Sequence, residues 1–102
     1  MHWTITKDLI DGGTTIYIGR HPKALKNLDN TNIQRFEEWI KALPYEFRLL
    51  DGDEEVYFIG RCEDLAEADA DHAFAPLDWA QGNYGCVEMQ YRKVGEKEWV
   101  VL

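Results

Sequence analysis

Residues 45–62 read YEFRLLDGDEEVYFIGRC and carry the strongest structural signal in the chain. Phe47 and Leu49 alternate with Glu46 and Arg48, the period-two pattern of a half-buried strand. Asp51-Gly52-Asp53 marks a turn, and VYFIGRC returns with aromatic and β-branched residues that suit a pleated, half-buried surface. Two such runs across a short glycine-containing turn make a β-hairpin, so at least this part of the sheet is antiparallel.

Upstream, Thr31 followed three residues on by Gln34 fits a capping box. Ile33, Phe36, Trp39, Ile40 and Leu43 then recur at helical spacing as one wide apolar stripe, with Arg35, Glu37, Glu38 and Lys41 on the other side. Pro44 ends that helix. Before it, residues 2–10 (HWTITKDLI) set Trp3, Ile5 and Leu9 against Thr4, Thr6 and Asp8, which predicts a strand. Asp11-Gly12-Gly13 is a turn signal, and TTIYIGR follows with Ile16 and Ile18 on one side, giving a second hairpin that His21-Pro22 terminates. Residues 23–30 (KALKNLDN) fit a loop or a short helical turn.

Downstream, residues 63–73 (EDLAEADADHA) are polar with no clean face and read as a solvated loop or a frayed helical turn. In FAPLDWAQGNYG, Pro76 suits the first turn of a helix and Asp78 complements the helix dipole there. Leu77 and Ala80 face inward, Trp79 and Tyr84 lie on the flanks, and Gly82 or Gly85 supplies the left-handed closing residue. CVEMQYRKV puts Val87, Met89 and Tyr91 on one face and Glu88, Gln90 and Arg92 on the other. Gly95-Glu96-Lys97 turns into a last strand, EWVVL. The order ββ-α-ββ-α-ββ with hairpin connections predicts a single α+β domain over residues 1–102: an antiparallel β-sheet with helices packed on one face.

Composition narrows the function classes. The chain has 102 residues, 45% hydrophobic and 13% aromatic, which is too apolar for a disordered segment. No apolar run is long enough for a membrane-spanning helix, and MHWTITKDLIDGG lacks the basic start and apolar stretch of a secretory signal. The expected location is the cytoplasm. Cys62 and Cys86 form no CxxC pair and read as small buried hydrophobes, although both fall on or beside predicted strands and a bridge between them stays open. Nineteen acids against eleven bases give a net charge of −8 and a pI of about 4.7. The bases are dispersed along the chain, so direct nucleic-acid binding is disfavoured.

Chemistry-bearing constellations are sparse. Cys86 with His2, His21 or His72 as base sits in no nucleophile signature. Nothing in the spacing brings Asp78 to Glu88. Asp69, Asp71 and His72, with Glu67, are donor types that divalent ions accept, but the EF-hand spacing is missing. No phosphate-binding glycine loop or nucleophile elbow occurs. The expectation is a non-enzymatic protein with no cofactor. What remains is an acidic run: Asp51, Asp53, Glu54, Glu55, Glu63, Asp64, Glu67, Asp69 and Asp71, interrupted only by Arg61. Such a run either solubilises a small domain or presents an acidic face to a basic partner. Of the four tryptophans, Trp79 is the one expected at the surface, because Leu77 and Ala80 already supply the burial of its helix. With Tyr84 beside it, it would anchor an interface.

YEFRLLD, the run FAPLDWA…GCxExQYR and the closing EKEWVVL together resemble a family of small plasmid-related proteins carried on bacterial plasmids and integrative elements. The resemblance spans residues 44–102 and does not extend to the first 43. It brings no activity and no catalytic residue. It implies a mobile-element accessory protein, and small acidic proteins of such elements include inhibitors of host defence, among them anti-CRISPR and anti-restriction proteins. The partner so implied is a CRISPR effector or another defence nuclease complex whose basic nucleic-acid-binding surface the acids would occupy. A small-molecule- or metal-binding accessory protein is the alternative, and a homodimer through a sheet edge is a further expectation.

Overall fold

The computed structural model describes residues 1–10, 19–21, 33–65 and 70–102. In chain order the elements are β1 (Trp3–Asp8), β2 (Gly19–Arg20), α1 (Ile33–Ala42), β3 (Tyr45–Leu50), β4 (Val56–Cys62), α2 (Ala70–Ala73), α3 (Ala75–Tyr84), β5 (Glu88–Lys93) and β6 (Val100–Val101). Among the described residues, no helix is long and apolar enough to cross a membrane. The Asp11-Gly12-Gly13 turn, residues 14–18, the 23–30 stretch and the Thr31 cap lie outside the described residues.

The expected hairpin is the centre of a six-stranded antiparallel sheet of order β2-β1-β4-β3-β5-β6. The β3–β4 turn holds its register: Tyr45 faces Cys62, Phe47 faces Gly60 and Leu49 faces Phe58. β1 adds to the outer edge of β4 and β5 to the outer edge of β3. The connection carrying α1 therefore leads past β4 to β3, and the one carrying α2 and α3 leads past β3 to β5. The α+β class and the antiparallel, hairpin-built sheet are as the sequence pattern predicts.

Alternation decides what each face holds. Trp3, Ile5, Phe47, Leu49, Phe58, Cys62 and Met89 point to one face, where Leu65, Ala73, Ala80 and Cys86 close the main core. Gly60 belongs to this face as well: a Cβ there would run into the Phe47 ring and the Thr4 carbonyl oxygen, so only glycine lets the ring lie flat on the strand. α3 packs here through Ala80, with Pro76 also buried. Asp78 donates its backbone N–H to the Phe74 carbonyl at 2.9 Å, opening the helix. Gly85, with φ of 75°, closes it by donating to Gln81 O; Gly82 lies inside the helix.

The helices divide between the two faces, which departs from the expected one-sided arrangement. The Arg61 side chain leaves the face opposite its neighbour Cys62 and donates to the carbonyls of Leu43 (2.8 Å) and Lys41 (3.2 Å) at the end of α1. On the same side, His21 bonds Thr4 Oγ1 at 3.2 Å and packs edge-on against Phe36 at 4.6 Å. Thr4 and Phe36 are both buried. Thus α1 covers the β1–β4 half of one face, and α3 covers the other face.

Two residues change sides relative to the expected alternation. A register shift between Ile5 and Lys7 places Asp8 opposite Phe58, so Asp8 turns inward and Leu9 is 41% exposed. One extra residue in one strand exchanges its faces beyond that point. At the other end of the sheet β5 begins only at Glu88; Cys86 enters the core ahead of it and Val87 is left exposed.

Candidate functional site

The hairpin end of the sheet gathers residues from three distant segments. Antiparallel pairing brings the end of β1 beside the start of β4, and Leu9 donates its N–H to Tyr57 O at 2.9 Å. The Asp8 carboxylate accepts the Ile10 N–H at 2.9 Å, a side-chain turn that carries Leu9 and Ile10 out of the sheet. α3 ends over the same place: Tyr84 meets Phe58 at 4.8 Å and Trp79 at 5.5 Å, ring centre to ring centre. The result is an open groove of about 510 Å³ lined by Leu9, Ile10, Glu55, Val56, Tyr57 and Tyr84. Ile10 and Tyr84 are 48% and 43% exposed.

The tight turn beside the groove carries the carboxylates. Asp51 accepts the backbone N–H groups of Asp53 and Glu55, each at 2.9 Å. The Glu55 N–H bond, chiefly, holds the Asp51 carboxyl below its ordinary range, reinforced by the Tyr57 hydroxyl and opposed in part by burial. The same bond to Asp51, with the negative charge around it, pushes the Tyr57 phenol up. Asp51 is therefore committed to building the turn, whereas Asp53, Glu54 and Glu55 are exposed and project from it. Among the described residues no ion pair engages those three carboxylates.

The acidic run is not one surface. Glu63 and Asp64 follow β4, whose seven residues set them about 20 Å or more from the turn that precedes it. There Glu63 pairs with the His2 ring at 2.9 Å and accepts the His2 backbone N–H. Asp64 hydrogen-bonds the Tyr45 hydroxyl. Asp71 is exposed on α2, ahead of α3, and is not among the residues that line the groove. Glu67 and Asp69 lie outside the described residues.

Trp79 is a packing residue more than a surface anchor. It is half-buried, 5.0 Å from Phe58 and 6.2 Å from Trp3, ring centre to ring centre. Tyr84 keeps an open face. Leu9 and Ile10 escaped the sequence reading as site residues; the signal that marks them is the Asp8 acceptor two residues before Ile10, which forms a side-chain turn.

Comparisons with protein-family models, with curated proteins and with solved structures found no match. The groove must be read from its own chemistry. Both cysteines are free and buried. Burial pushes the Cys62 thiol up to about 12, and burial with the Asp51 charge pushes Cys86 up to about 11. Thiols held protonated in this way are poor nucleophiles and poor metal ligands. Among the described residues, no three His, Cys, Asp or Glu side chains come together as a metal-binding group; Asp69 of the DADH run is outside them. A groove that mixes the apolar side chains of Leu9, Ile10 and Val56 with Tyr57, Tyr84 and the Glu55 carboxylate offers association with a complementary surface.

Proposed function

We propose that this chain is a non-enzymatic protein-binding domain that acts in the cytoplasm and uses the groove between β1, β4 and α3 to hold a partner with a basic surface. The observation that carries the reading is the meeting of exposed Leu9, Ile10 and Tyr84 with the Glu55 carboxylate in one groove, next to the turn that bears exposed Asp53 and Glu54. Apolar side chains give such a contact its affinity by excluding water, and the charged rim gives it rate and specificity. Among the described acids of the run, Glu63 and Asp64 at the far end of β4 are engaged by His2 and Tyr45, and the groove end is taken as the acidic contact.

The partner class rests on the net charge of −8 and on the resemblance of residues 44–102 to plasmid-related proteins. It is a defence nuclease or its guide complex, whose nucleic-acid channel is basic. The mobile-element origin and the anti-CRISPR-like role belong to the same proposal. Binding of the domain to a purified CRISPR effector complex, followed at low and at physiological salt, tests it. Association should weaken as salt rises, and reversal of Asp53, Glu54 and Glu55 to lysine should abolish it. Undiminished binding by that triple variant would sink the reading.

A further inference from the structure

We infer that the element seated in the groove is a short protein segment that carries one bulky apolar side chain within a few residues of a lysine or arginine. This rests on the protein-binding reading above and specifies the ligand chemistry of the same site. Leu9, Ile10, Val56, Tyr57 and Tyr84 line the groove together with Glu55. The groove is partly open to solvent, with Ile10 and Tyr84 on its lining 48% and 43% exposed. Small molecules are held by concave sites that bury most of their surface, and a partly open groove covers them less completely. A side chain delivered by a larger body needs only its own apolar portion covered, because the rest of the partner seals the rim.

Charge selects the rest. Glu55 lines the groove itself, and Asp53 and Glu54 project from the adjoining turn. Among the described residues, no cation of this chain sits on the Tyr84 ring or pairs with Glu55: the arginines stacked on an aromatic face, Arg48 and Arg92, are both on Trp99. An incoming Lys or Arg finds a carboxylate and a tyrosine face together, and an ammonium or guanidinium over an aromatic ring adds attraction to the ion pair. A nucleic acid would bring phosphates against these carboxylates. A second copy of this chain would bring another net charge of −8.

The test is a selection of displayed random peptides on the immobilised full chain, with Ile10→Asp as the counter-target. Selected peptides are then titrated by intrinsic tryptophan fluorescence, since Trp79 touches Tyr84. Peptides with Leu, Ile, Phe or Trp beside Lys or Arg should be enriched. Their affinity should fall about tenfold or more in Ile10→Asp and in Glu55→Lys, and should fall with salt. Tyr84→Ala should weaken them too, while Val100→Asp, on the exposed β6 edge, should leave them unchanged. Urea midpoints of all four variants separate lost binding from lost folding.

The inference is overturned if nothing is enriched, if the enriched peptides lack the cation–apolar pairing, or if they bind Ile10→Asp equally. It is likewise overturned if the groove mediates a dimer that Ile10→Asp dissociates, or if it takes up a single-stranded oligonucleotide. Should the Asp53/Glu54/Glu55 reversal abolish capture of the basic complex while selected peptides show no cation–apolar pattern, the domain is still a binding module and only this inference fails. If neither effect appears, both fail.

Discussion

Glu54 stands in the left-handed region with φ of 64°, the one non-glycine residue so placed among those described. The turn explains it. Glu54 N donates to Asp51 O at 3.2 Å and Asp51 N to Glu55 O at 3.0 Å, so three residues, 52–54, join the strands. A three-residue hairpin loop takes a turn followed by one residue of positive φ. Gly52, the residue that marks the turn in the sequence, stands outside the left-handed region, and the strained position falls two residues later on a glutamate. Glu54→Gly should therefore stabilise the domain by about 0.5–1 kcal/mol in urea unfolding, relief of left-handed strain outweighing added chain entropy. A loss of stability would show that the Glu54 side chain itself supports the fold. Asp51 acts through charge. Its folded pKa is depressed below the ordinary 3.8, so its contribution is present above about pH 4 and is lost as pH falls through the lower folded value. Asp51→Asn should be less stable than the native chain at neutral pH, and the gap should close in acid. An equal gap at neutral pH and at about pH 3 would mean that geometry alone matters there.

At the level of the elements, what could be read along the chain was whatever depends on neighbours in sequence. The alternation of Phe47 and Leu49, the stripe of Phe36 and Leu43, and the proline and glycine that bound α3 each act locally, and each element formed where its pattern stood. Pairing partners decided the rest. The bulge that turns Asp8 inward and Leu9 outward answers to the register with β4, some fifty residues away. Trp79 is covered by Phe58 of β4, and no periodicity within α3 encodes that. Trp99 shows the same principle at the other edge of the sheet. Arg48 of β3 and Arg92 of β5 stack on its ring at 4.5 and 4.2 Å, and Arg92 also pairs with Glu46 at 3.4 Å and donates to Lys97 O at 3.2 Å. This network lies on β3 and β5, and it holds Trp99, the residue before β6, against the sheet. Trp99→Ala should cost about 2 kcal/mol by urea unfolding, from lost cation–π attraction and lost cover, and Trp99→Phe should cost less. No measurable loss would mean that β6 is held by its backbone pairing alone.

Over the whole molecule, one core runs from Trp3 on β1 to Met89 on β5, and both thiols belong to it. Cys62 ends β4 and Cys86 follows α3, so they report on opposite ends of the same packed layer. Tyr84 of the candidate groove packs on Phe58, a core residue of that layer, and on Trp79, which is half-buried against it. That sharing is why the site was only half legible in the sequence: Tyr84 and Glu55 stood out as exposed types, whereas Leu9 and Ile10 became exposed only through the packing of β1. It also makes a claim about cooperativity. If the groove floor and the core are one unit, neither thiol becomes reactive without opening the whole layer. Alkylation by iodoacetamide at mildly alkaline pH, followed residue by residue by mass spectrometry, should then modify Cys62 and Cys86 at one common slow rate. That rate should rise with urea along the slope of global unfolding, because reaction samples the open state. A folded-state reaction is suppressed twice, by burial and by thiols held near 12 and 11. Should Cys86 react faster and without dependence on urea, the α3 end opens by itself. The groove would then be a separately yielding part of the fold, able to reshape around what it binds.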